Sequence, residues 1–521
     1  MIFFNGSHAE FRLNNIKNFS FSLTHLLTRP STTLKRSIWS ALFCWSAVSI
    51  ILHAFYIQTP FVSMEYVFAQ ATQNLLSSEN NLAHYWSMQA NPLGYVWVST
   101  LIHFLLGEPS GFWSYRLASL LGLVAILGAG AMVASTLKSD CRRAFHLWCA
   151  LVTFSPLIWV FSGRATADVL PMGLLGLSLA LVYKNEARTS GLASILFLFA
   201  SIVKYHALLM APGFIYIFWY QSQNNGEWIK RCGQFFLLPL LGFLLYLWGI
   251  YNQYGFFLVA ETHSQTHKFE PANFLKTFSL YAGYLGILLG PVAWVSLLNV
   301  RKNWPGKWLI LIGFGLGFGF WVDSLETMGE MNYGPFDWIL NRSMLFLVKS
   351  MGAIVFGFLI LDCIVEARKH KNAVAGFVLT VCIPFLLVCS ASRPAQRYLI
   401  FLIPLIFYYL VFYRMQGHKI YRVVLGWGTV GIFVLANLFA VNYQVAQARA
   451  ADNMAHWLIE NKLIEETLPG SINTHSGQYF IPFITTQKTR TVLQGSGDIA
   501  TALHAEKVVV FGRTLKTYYL N

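Results

Sequence analysis

Apolar runs of about 20 residues, the length a helix needs to cross a bilayer, recur from one end of this chain to the other. That pattern limits the fold more than any other feature. In hydrocarbon each backbone N–H and C=O must be paired within its own segment, so such a chain becomes a bundle of membrane helices. Only 11% of its 521 residues are charged, where a water-soluble domain carries roughly 25%. The net charge of +15 would suit a nucleic-acid binder if the basic residues formed one stripe. Instead they sit in short loops between the apolar runs, on alternate sides, as the positive-inside rule requires. Nucleic acid is therefore excluded as a partner.

The loop charges set a topology. Residues 1–36 are basic and polar and read as a cytoplasmic segment before an uncleaved first span, 37–57. The polar stretch 58–113 follows as an outer juxtamembrane loop. Within it, 93–106 is apolar but only about 14 residues long, so it reads as an interfacial helix. The next spans are 114–136, 144–161 and 169–183. The run 191–220 is too long for one span and is broken at Lys204-Tyr205-His206, giving two short ones. Spans 232–251, 274–300, 308–322, 343–365, 373–390, 398–413 and 423–441 complete about thirteen crossings, N-terminus inside and C-terminus outside. The transmembrane domain is thus 37–441. Residues 442–521 read as a small soluble α/β domain outside, with helices at 446–466 and 498–505 and strands at 471–474, 491–493 and 507–511. The seven cysteines (Cys44, Cys141, Cys149, Cys232, Cys363, Cys382 and Cys389) lie in or beside spans and offer no disulfide framework and no CxxC metal spacing.

This topology gathers ionisable groups at the outer face, where they cost free energy unless they face a cavity or a partner. They are Glu65, Asp168, Lys204, the loop with His263 and His267, and the pair Arg393 and Arg397. A carboxylate can take the proton of an acceptor hydroxyl, and lysine or arginine can hold a phosphate, arginine with two parallel bonds. Each group also has a plain structural reading. Asp168 can cap the following helix, Lys204 can snorkel from a short span, and the arginines can anchor an interface. His263 and His267 stand four apart, a metal-ligand spacing on a helix, but no further set of ligands accompanies them. No cofactor is assigned, and a divalent ion at these histidines is the weak alternative. The glycines at 313, 315, 317 and 319 lie inside an apolar run and read as close helix packing.

Several short motifs, taken in order, resemble the GT-C membrane glycosyltransferases, in particular those related to protein O-mannosyltransferases and the bacterial lipid A aminoarabinose transferase. They are Met64-Glu65 after the first span, Asn91-Pro92-Leu93-Gly94 before a short helix, Tyr115-Arg116-Leu117 at the second span, Asp168 in the next outer turn, Val203-Lys204-Tyr205, Glu261-Thr262-His263, and Arg397-Tyr398 with Pro404. The resemblance covers most of the chain. It departs at Met64, where the family carries an acid, and at Ala90 and Asn91, where relatives carry lysine and proline. It implies a GT-C-type bundle with outer juxtamembrane helices and an outer active site in a bacterial inner membrane. It also implies an inverting transfer of sugar from a polyprenyl-phosphate donor to a lipid, glycan or protein acceptor. Glu65 would be the general base, assisted by Asp168. Arg116, Lys204, His263, Arg393, Arg397 and Tyr398 would contact donor and phosphate. The alternatives are a transporter or flippase of a lipid-linked sugar, or an inactive scaffold, for which Met64 is the argument.

Overall fold

The computed structural model describes residues 32–61, 65–77, 82–88, 91–107, 111–137, 141–184, 187–259, 274–303, 309, 312–313, 316–317, 342–369, 372–391, 395–415, 419–463, 467–468, 490–495 and 504–520. It opens with the long helix α1 (Thr32–Ala54). Three shorter helices follow where the polar loop was expected: α2 (Glu65–Leu76), α3 (Ala83–Met88) and α4 (Gly94–Leu106). Then come α5 (Phe112–Ala134), α6 (Arg142–Phe154), α7 (Pro156–Ser162), α8 (Val169–Lys184), α9 (Ala187–Val203), a 3-10 turn at Tyr205–Met210, α10 (Ala211–Gln221) and α11 (Asn225–Tyr254). The second half holds α12 (Phe274–Leu289), α13 (Trp294–Asn303), α14 (Arg342–Lys369), α15 (Ala373–Ser390), a 3-10 turn at Gln396–Phe401, α16 (Ile403–Tyr409) and α17 (Gly428–Glu460).

Among the described residues, eight helices are each long and apolar enough to cross a membrane, and the pair α6–α7, bent by 63°, is apolar and long enough only when its two parts are taken together. Helices α8 and α9 are apolar but shorter. Each expected span falls on one of these segments or on α10, except 308–322, most of which lies outside the described residues. The short segments have a local cause. Pro156 starts α7, where Ser155 is extended, and so ends α6 one turn early. Lys204 is extended as well and closes α9.

Between membrane helices the hydrophobic effect gives little drive, so close contact relies on small residues. A Cβ on Gly122 of α5 would lie 2.5 Å from the Leu170 Cα of α8, and one on Gly173 would lie 2.5 Å from the Gly122 carbonyl oxygen. A Cβ on Gly94, at the start of α4, would lie 2.6 Å from the Ile202 carbonyl oxygen at the end of α9. Both contacts fix the chain within two residues of an expected site residue, Asp168 in one case and Lys204 in the other. Helix α11 presents Leu237, Leu240, Leu241, Leu245 and Trp248 outward, an apolar surface suited to lipid.

At the other end of the bundle, Arg414 meets Asp362 at 3.0 Å and Glu366 at 2.7 Å. The Tyr409 hydroxyl donates to Asp362 at 3.0 Å. This tie joins α14 to the segment after α16.

Helix α17 runs unbroken across residues 441 and 442, so the tail begins on the same rod as the last span. A four-stranded sheet, in the order β1-β2-β4-β3, stands beside it. Its strands are β1 (Thr467–Leu468), β2 (Arg490–Gly495), β3 (His504–Val510) and β4 (Arg513–Leu520). β1 and β2 are parallel, and β4 is antiparallel to β2 and β3. Val508 and Val510 of β3 pack with Met454 and Leu458 of α17. The expected strands at 491–493 and 507–511 fall on β2 and β3. The expected helix at 498–505 does not hold at its end, because His504 and Ala505 pair with β4. The expected strand at 471–474 lies outside the described residues.

Candidate active site

Helices α2, α4 and α5 meet the turn at 163–168 and the end of α9. Two acid–cation groups are buried there. The first joins Glu65, the first residue of α2, to Arg116 in the second turn of α5. Arg116 Nε donates to Glu65 Oε1 at 2.8 Å and Nη2 to Oε2 at 3.1 Å. The Ala165 backbone N–H donates to Oε1 at 2.8 Å. Arg116 also donates to the Ile57 carbonyl at 2.8 Å, the Thr59 hydroxyl at 3.2 Å and the Pro60 carbonyl at 3.1 Å. Its five N–H groups are therefore all used within the protein. A phosphate-binding role was expected for Arg116, but this geometry leaves no donor for a phosphate. Glu65, expected as the base, likewise meets charged or backbone donors with both of its oxygens. The pair ties the end of α1 to α2, α5 and the 163–168 turn.

The second group centres on Asp168, 2% exposed. Its Oδ1 pairs with Lys204 Nζ, and Arg397 Nε lies 4.0 Å from the same oxygen. Burial alone would push the Asp168 carboxyl up, but the Lys204 and Arg397 cations outweigh it and hold the carboxyl below the usual value. The Lys204 ammonium sits 5.1 Å from the centroid of the Tyr398 ring, a cation–π contact. His206 stacks on the other partner of that corner, with its ring centroid 4.0 Å from that of Tyr398. Arg397 is more open than Asp168 and Lys204, its side chain 23% exposed.

The surrounding hydrogen bonds hold this end rigid. Tyr95 of α4 donates to the Tyr115 carbonyl of α5 at 2.9 Å, and the Ser119 hydroxyl donates to the Thr166 carbonyl at 3.0 Å. The Leu93 N–H meets the Tyr246 hydroxyl of α11 at 3.1 Å. Aromatic side chains fill the space beneath the outer helices, among them Phe68 against Tyr85 and Tyr95.

Of the expected site residues, the structure brings together Glu65, Arg116, Asp168, Lys204, Arg397 and Tyr398. His263, His267 and Arg393 lie outside the described residues. Two members were not expected. One is His206. The other is Arg164, half-buried in the same turn as Asp168 and within electrostatic reach of Glu65, Arg116, Asp168 and Arg397. Its Nε is buried and has no hydrogen-bond partner among the described residues. The signal for it was available, since Arg164 stands four residues before Asp168 in a turn too short to hide a charge.

No family model matches the sequence, and no curated protein matches it. Among solved structures, the chain is similar to ArnT from Cupriavidus metallidurans bound to undecaprenyl phosphate, with a TM-score of 0.40 and 14% identity over 91% of this chain and 97% of that one. It is also similar to the arabinofuranosyltransferase AftD from mycobacteria, with a TM-score of 0.34 and 13% identity over 82% of this chain and 29% of that one. The identity is low in each case, and the likeness runs over most of this chain.

Proposed function

We propose that this chain is a glycosyltransferase that moves a sugar from a polyprenyl-phosphate donor to an acceptor at the outer membrane surface. The observation that carries this reading is the meeting of Asp168 with two cations, Lys204 and Arg397, at one end of the bundle. Leaving phosphate needs cations, and an attacking hydroxyl needs a carboxylate; here both signs share one buried place. Arg397, the most open of the three, takes the donor phosphate first, with Arg164 beside it. Lys204 stabilises charge as the bond between the anomeric carbon and the phosphate oxygen breaks. The acceptor oxygen attacks from the opposite face of the sugar, and its proton passes to Asp168, so the configuration inverts and the lipid phosphate departs. Because Asp168 is held ionised by its neighbours, it accepts a hydrogen bond from the hydroxyl throughout and the proton late. Glu65 acts through Arg116 as a positioning residue that holds the Arg164–Asp168 turn. His263 and Arg393 keep their proposed contacts to the donor.

The test is label transfer in purified membranes from radiolabelled polyprenyl-phosphate sugars. Loss of a general base typically costs about 10²–10⁴-fold, so Asp168→Asn, assayed below a melting temperature that the unpaired Lys204 lowers, is expected to lose at least about a hundredfold per folded molecule. Equal transfer by wild type and Asp168→Asn would remove Asp168 as the base. Loss in Glu65→Gln without loss of folding, beside an active Asp168→Asn, would return that role to Glu65.

A further inference from the structure

At the end of the bundle remote from Asp168, a cavity of about 340 Å³ opens between the start of α1 and the start of α6. Arg116 bonds to the Ile57 carbonyl just past the end of α1, whereas this cavity lies at Arg36, about 30 Å away at 1.5 Å per residue. It belongs to neither acid–cation group. Arg36, Ser37, Ser40 and Cys44 line it from one face of α1, and Arg142 and His146, four apart on α6, line it from the other side. No acidic residue lines it among the described residues. Two guanidinium groups therefore face one opening, both exposed at its mouth.

The interior also seeks an anion. The Ser37 hydroxyl is buried and has no hydrogen-bond partner among the described residues. Nδ1 of His146 accepts from the Trp45 indole N–H at 3.1 Å. The neutral ring then carries its proton on Nε2, where it is a donor. Arg36, Arg142, Ser37 and His146 thus bring to the lining of one cavity the kinds of donor that suit phosphate oxygens. The neighbouring face of α1 supplies the second half of a ligand: Trp39 and Phe43 are exposed, the latter 75% so, as side chains against acyl chains would be. A soluble phosphate would have no use for that wall.

We propose that this cavity binds the phosphodiester headgroup of an anionic phospholipid in the leaflet opposite the Asp168 cluster. Basic pockets between membrane helices recognise lipid headgroups in this way. Held there, the lipid joins α1 to α6 and steadies the end of the bundle that carries no catalytic group.

The experiment is native mass spectrometry of the purified full chain titrated with phosphatidylglycerol, with phosphatidylcholine of the same acyl chains, and with glycerol 3-phosphate as the soluble competitor. Wild type should retain one more phosphatidylglycerol than Arg36→Gln/Arg142→Gln at equal lipid concentration, with about a tenfold or greater difference in affinity. Ser40→Phe, which fills the cavity and keeps both arginines, should lose the same lipid. Equal retention by wild type, the double variant and Ser40→Phe would overturn the proposal, as would phosphatidylcholine held as tightly as phosphatidylglycerol. Displacement of the lipid by glycerol 3-phosphate at the lipid's own concentration would overturn the lipid assignment and leave a soluble phosphoester as the ligand.

Discussion

Glu65 and Asp168 are both buried carboxylates, and their partners leave them different things to do. Glu65 is closed off by a two-point bond to a fully occupied arginine and by a backbone N–H. Asp168 faces a lysine on one side and a partly open arginine on the other. Breaking a buried ion pair from one side leaves an uncompensated charge, which typically costs about 3–5 kcal/mol. Arg116→Met is therefore expected to lower unfolding stability by about that amount, and Glu65→Gln/Arg116→Met to recover part of it. Thermal melting of the purified protein in detergent measures both. A single variant as stable as the wild type would show that the pair is not a brace. Sequence reasoning picked out Glu65 and Arg116 but could not pair them, because a bond across 51 positions is set by packing.

Among the elements, the breaks matter more than the helices. The 63° bend between α6 and α7 delivers the chain to the 163–168 turn, and the extended Lys204 ends α9 beside that turn. Lys204-Tyr205-His206, a polar triplet in an apolar run, marked the second break, whereas the first lies inside what reads as the single span 144–161 and appears only in the structure, at Pro156. The glycine contact between α5 and α8 was not, since no local pattern tells which of the many glycines touches a neighbour. Gly122→Ala puts a methyl 2.5 Å from a backbone carbon, and overpacking of this kind costs about 1–3 kcal/mol. It should also reduce label transfer, because the helix that must move begins one residue after Asp168. Gly128→Ala, on the same helix with nothing within 4 Å, should be neutral or slightly stabilising. Equal melting temperatures for the two variants would contradict the packing argument.

For the whole molecule, the basic loops and the described crossings put the Asp168 group and the Arg36 cavity at opposite ends. Orientation then follows from the loop charges. A thiol reagent that does not cross membranes should label Phe511→Cys only from outside the cell and Gln223→Cys only from inside. Both sites are exposed in the structure. Labelling of both from one side would invert half of the topology. The C-terminal strands belong to the same scale. Their β-branched residues marked β2 and β3, but β4 went unseen and shows itself only through its pairing with those two strands.

By itself the sequence determined that this chain crosses a membrane many times and that an apolar run breaks at Lys204-Tyr205-His206. Those properties follow from runs of residue type and from the rule that backbone groups in hydrocarbon must be paired locally. Tertiary structure decided which charges meet. It tied Arg116 to Glu65 and to the 57–60 segment with all of its donors, brought Arg164 and His206 to Asp168, and placed Arg36 opposite Arg142 across a cavity. Burial makes a charge choose one partner among several within reach, and that choice depends on helix crossings spaced to within an ångström, which residue order does not encode locally.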